Sequence, residues 1–153
     1  MDITLLVFYA VLALGISFIC SILEAVVLSV PHTYIAVLQK EGKKSGNIWS
    51  QLKDDDAVKP LASILTLNTI AHTMGAAGVG SQVQSVWGEE YLTVASIILT
   101  IAVLFFSEIV PKTLGTAYWK QLAPITGILL TYLVKILMVI IIPIQMLKSI
   151  LPK

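Results

Sequence analysis

The chain has 153 residues, of which 57% are apolar and only 12% charged; the net charge is +1 and the mean hydropathy +0.90. A soluble domain carries about 25% charged residues, so a water-borne enzyme or nucleic-acid binder is excluded as the first reading. The single cysteine, Cys20, rules out an internal disulfide and a thiolate metal cluster.

No charged side chain occurs from Ile3 to Leu23, from Pro60 to Gly88 or from Tyr91 to Ser107. Each run is close to or above the roughly 17–25 residues that cross a hydrocarbon core. The fold class expected is therefore all-α and integral to the membrane. The first run lacks the basic leader of a secretory signal and carries Asp2 instead, so it reads as a retained helix over 1–31, stopped at Pro31. Five of the ten basic residues, all ten being lysine, lie between the first two runs (Lys40, Lys43, Lys44, Lys53, Lys59). The positive-inside rule then puts residues 32–59 in the cytoplasm and the N-terminus outside.

Residues 32–59 read as two short amphipathic helices. Tyr34, Ile35 and Leu38 face one way in the first, Ile48, Trp49 and Leu52 in the second, and "EGKKSGN" turns between them. A solvated loop fits the pattern equally. A second span is expected over 60–86, with Pro60 in its first turn. Its small-residue patch, Gly75, Ala76, Val79 and Gly80, suits close helix packing in lipid. A third span is expected over 91–118. Residues 121–150 are apolar enough for a fourth, but Lys135 sits at the centre and Pro143 interrupts. A helix lying along the membrane, or sharply bent, accommodates that ammonium better than a buried position.

The third run holds the most informative stretch, "FFSEIVPKTLG", with Glu108 inside an apolar helix and Pro111 three residues on. A carboxylate in lipid costs several kcal/mol unless it is paired or reaches water. Glu108 could pair with Lys112 one turn away, could be protonated and packed, or could bind a cation. Pro111 has no N–H, so the carbonyl of Ser107 is expected to lose its helical partner and the helix to break. Broken helices in membranes line cavities, and a freed carbonyl beside a carboxylate suits a hard cation.

Other polar residues fall at matching depth. Ser21 and Glu24 share one face of the first helix, Asn68 and His72 one face of the second. At about 1.5 Å per residue, Ser21, Asn68 and Glu108 all lie in the inner half of the bilayer. Each has an ordinary alternative: a serine bonding its own helix, an interhelical amide contact, a packed histidine, or for Glu24 water or a lysine near the inner end of its helix.

Together these residues resemble the transmembrane (DUF21) domain of the CNNM/CorC magnesium transporters. The family's Ser-Gly-x-Glu-Thr-Ala run is matched by Ser21 and Glu24, with Ala25 replacing Thr. Its Gly-Asn-Asn-x-x-Asn run is met by Asn68 and departs at Leu67, Thr69 and His72. Its Gly-Glu-x-x-Pro-Lys signature is matched by Glu108, Pro111 and Lys112, with Ser107 replacing Gly. The resemblance implies a homodimer of protomers with three membrane helices, a cytoplasmic helical pair and a juxtamembrane belt helix over 121–150. It implies transport of a dehydrated Mg²⁺, with Na⁺ as coupling ion, in a bacterial or archaeal plasma membrane. Ser21, Asn68, Glu108 and the Ser107 carbonyl would be the ligands. Ser63 is a weaker one, pointing about 140° from Asn68 on a regular helix. Pro111, Lys112, Glu24, Gly75 and Gly80 would serve structure or gating. Family members usually continue into paired CBS domains, which residues 1–153 do not include. A non-transporting dimeric scaffold, or a Mg²⁺-sensing regulator, is the rival reading. No enzyme signature is legible: there is no nucleophile–base pair, glycine-rich phosphate loop or zinc set, and no nucleic-acid partner is expected.

Overall fold

A computed structural model describes residues 2–152, so the two ends of the expected 1–153 domain, Met1 and Lys153, lie outside the described residues. Among the described residues every regular element is helical. Helix α1 spans Asp2–Ser29, α2 His32–Lys40, α3 Lys44–Leu52 and α4 Val58–Trp87; α5 spans Leu92–Ala102, α6 Val110–Ala117, α7 Trp119–Ile136 and α8 Met138–Ile150. Two helices, Ile3–Ser29 and Glu89–Ala117, are long and apolar enough to cross a membrane, or up to three spans if the bent pair α7 and α8 counts as one. Helix α4 has 30 residues but is less apolar than these.

The contacts divide the chain into two compact units. The first comprises α1 as far as Ile22 together with Thr66–Thr113. Here α4 lies against α1 through glycine: a Cβ on Gly75 would overlap that of Ala13, and one on Gly78 would lie 2.6 Å from the Tyr9 ring. Gly80, by contrast, has only an ordinary 3.9 Å neighbour in Leu92. The close approach expected of the small-residue patch is thus seated on Gly75 and Gly78. Helix α5 buries none of its residues, as befits a helix solvated by lipid rather than by protein.

The second unit holds Leu23–Leu65 and Leu114–Lys153. The end of α1 buries Val26 and Val27, with Val30 buried just beyond it; α2 buries Ile35 and Leu38, and α3 buries Trp49 and Leu52. Helix α7 meets them with a face made of Ala123, Thr126, Gly127, Leu130 and Val134, the i, i+3, i+4, i+7 spacing of an amphipathic helix. Trp49 is fully buried, and its Nε1 donates to the Ala123 carbonyl at 2.9 Å. The helical pair read from the sequence is present, with Gly42 at φ 71° in the turn. The second helix ends at Leu52, and after it Asp55, Asp56 and Ala57 turn left-handed at φ 52°, 56° and 58°. Lys148 holds that turn through Asp55 Oδ1 at 2.6 Å.

Two further expectations are corrected. The sharp bend weighed for residues 121–150 is present, at 85°, but it falls between Ile136 and Met138 rather than at Pro143. Pro143, the expected interruption, lies inside α8. Nor does Pro111 break its helix. Residues Val103–Ile109 form a π-helix that runs directly into α6, with the Val110 N–H bonded to the Phe105 carbonyl. Widening the turn gives the proline ring room against the preceding carbonyls, whereas a regular turn would clash.

A candidate cation site around Glu108

The π-helical turn brings Ser107 and Glu108 side by side, one directed into the packing and the other towards a cavity. Ser107 is fully buried and clipped to α1 at two points. Its hydroxyl donates to the Leu14 carbonyl at 3.0 Å, and its own carbonyl accepts from Ser21 Oγ at 2.5 Å. The carbonyl that the sequence leaves without a helical partner therefore finds one in Ser21, which is itself 1% exposed.

Glu108 is three-quarters buried and meets three side chains. Lys112 Nζ is 3.2 Å from Oε2, the i,i+4 pair weighed above. Asn68 Nδ2 donates to Oε1 at 3.4 Å. His72 Nε2 lies 3.9 Å from the same Oε1. The other end of the Asn68 amide, Oδ1, is buried without a hydrogen-bond partner. An unmade bond of this kind costs about 1–3 kcal/mol, so the amide is poised for a donor or a cation. Glu108 and His72 open onto a cavity of about 340 Å³ walled by Ala13, Ala76, Thr100 and Leu104.

Within the first unit Ser21 is thus paired with the Ser107 carbonyl and Asn68 with the carboxylate of the neighbouring Glu108. Ser63 belongs to the second unit, where its hydroxyl donates to the Lys59 carbonyl of its own helix at 2.8 Å. Glu24 also belongs to the second unit and is half-buried. Ser17 was missed in the sequence. It is fully buried, and its Oγ lies 2.7 Å from His72 Nε2. The signal was available, since Ser17 precedes Ser21 by one turn and shares its face.

Comparison with known proteins decides the family. Residues 8–152 match the family model described as the cyclin M (CNNM) transmembrane N-terminal domain. The chain belongs to the CNNM family. It is also 30% identical over 133 residues to a UPF0053 protein of Synechocystis sp., covering 87% of this chain and 37% of that relative. This CNNM domain therefore spans little more than a third of that relative's length. With its long apolar helices it is an integral membrane protein.

Proposed function

We propose that this CNNM domain carries a divalent cation across the membrane, with Mg²⁺ as cargo, Na⁺ as coupling ion and a homodimer as the working unit. The observation that supports the reading best is the buried, unpartnered Asn68 Oδ1 beside the Glu108 carboxylate. An amide oxygen, a carboxylate and the Ser21 and Ser107 oxygens make the oxygen-rich surroundings that a hard cation requires. Glu108 supplies the full negative charge, which matters because Mg²⁺ gives up its water reluctantly. Helix α4 would be the third span, and α2 and α3 would lie in the cytoplasm with the N-terminus outside. The bent α7–α8 pair would lie at the membrane surface. The role is transport rather than catalysis.

A dimeric scaffold or Mg²⁺ sensor is the second reading. The Ser21–Ser107 bond favours it by tying α1 to the π-helical turn without a cation, and the Glu108–Lys112 pair by balancing the carboxylate within its own helix. Flux separates the two. In proteoliposomes with an internal Mg²⁺ indicator, a transporter shows uptake that follows a Na⁺ gradient and vanishes in Glu108→Ala. Background traces in both proteins, with Mg²⁺ still bound, would overturn transport in favour of the sensor.

A further inference from the structure

The cavity beside Glu108 contains a nitrogen that a Mg²⁺ site has no use for. His72 Nε2 and Glu108 Oε1 face each other at 3.9 Å across it, and Ser17 Oγ lies 2.7 Å from the same nitrogen. A single cation with bonds of about 2.0–2.2 Å can bridge two atoms at that separation. The Asn68 amide, already on Oε1 through Nδ2, has its buried oxygen free.

We infer that His72 is a cation ligand alongside Glu108, and that it lets this domain take divalent cations that accept nitrogen, such as Mn²⁺ and Co²⁺, as well as Mg²⁺. The inference rests on the cation site proposed above and names its cargo class. Mg²⁺ is hard and keeps oxygen ligands, whereas first-row transition metals gain from an imidazole. Ser17 holds the ring through its contact with Nε2; that nitrogen has one in-plane lone pair, so binding a cation exchanges the hydrogen bond for a metal–nitrogen bond and leaves the freed hydroxyl oxygen, 2.7 Å from Nε2, within reach of the same ion. Among the described residues no three His, Cys, Asp or Glu side chains gather into one group. One nitrogen among neutral oxygens and a single carboxylate makes a loose site, which suits an ion that must leave again.

The test uses the purified, detergent-solubilised protein with Mn²⁺ as the probe. Binding is followed by electron paramagnetic resonance, and ¹⁴N modulation of the bound-Mn²⁺ signal is recorded for wild type, His72→Asn and Glu108→Gln. Mg²⁺ affinity is read by competition. The expected result is an imidazole ¹⁴N coupling in wild type that is lost in His72→Asn. Mn²⁺ affinity should fall at least as far as the roughly 10–100-fold that losing a ligand's outer partner costs, while Mg²⁺ affinity changes little. Mn²⁺ that binds in a Glu108-dependent way without nitrogen coupling, and equally in His72→Asn, overturns the role of His72 and leaves the site standing. Mn²⁺ binding that survives Glu108→Gln, or no cation binding in wild type, overturns the site and this inference with it. His72→Gln, which keeps a polar side chain of similar reach, separates ligand loss from misfolding: it should retain the wild-type thermal midpoint while losing the ¹⁴N signal.

Discussion

Ser21 Oγ donates to the carbonyl of Ser107 at 2.5 Å, across a separation of 86 residues. That bond joins α1 to the π-helical turn next to Glu108, and it satisfies a carbonyl that neither water nor a regular helix can serve. Ser21→Ala should leave that carbonyl buried and unpaired, at a cost of about 1–3 kcal/mol. A lower unfolding midpoint in detergent is the expected result; an unchanged midpoint would mean that the turn is held by Ser107 Oγ on Leu14 alone.

Lys112 is an internal competitor for any cation at Glu108. Its ammonium lies 3.2 Å from Oε2, but the lysine side chain is 43% exposed, so the pair is partly screened. Removing the charge in Lys112→Met should raise Mg²⁺ affinity several-fold, as titration calorimetry would read. A drop in affinity would instead make Lys112 a residue that positions the carboxylate.

Depth along the helices put Asn68 and Glu108 in the same half of the bilayer, because a rise of about 1.5 Å per residue leaves little freedom once the ends of a span are known; that their faces meet, at 3.4 Å, was not legible. The response to Pro111 was not legible. A proline in a helix can be met by a break or by a wider turn, and the choice here goes with Ser107 being clipped to α1, a long-range contact that no local pattern encodes. The place of the bend that follows α7 was not legible for a similar reason. Pro143 is the visible interruption, yet the chain turns at Leu137, where no breaker residue stands. His72 and Ser17 were each readable as ordinary packed polar residues, and only their 2.7 Å contact sets them apart.

The α1–α4 approach depends on Gly75. A side chain there would run into Ala13, and neither backbone can withdraw without opening the packing between the two helices. Gly75→Val should destabilise the fold by about 1–3 kcal/mol, the usual range for overpacking. Gly80→Ala, which meets only Leu92 at 3.9 Å, should be close to neutral. Thermal unfolding of the two variants side by side checks the contrast. Equal losses would show that the glycines serve helix flexibility rather than contact.

Lys53 joins the end of α1 to the turn after α3, its Nζ donating to the Val27 carbonyl at 2.8 Å. Val27 lies in the last turn of α1, whose carbonyls have no helical donors, so a cation there is favourably placed. Burial nonetheless pushes the Lys53 pKa below its ordinary 10.5. Between the folded value and 10.5 the unfolded chain binds more protons than the folded one, so stability must rise with pH across that window. Lys43 acts in the opposite sense and in a different range: its hydrogen bond to Glu41 raises its pKa above 10.5, so its contribution is lost only at still higher pH. Unfolding midpoints of wild type measured on the alkaline side of neutrality, up to 10.5, should therefore climb relative to Lys53→Met, even though the variant has also lost the α1 contact. Parallel curves for the two proteins would mean that Lys53 is as well solvated in the folded state as in the unfolded one.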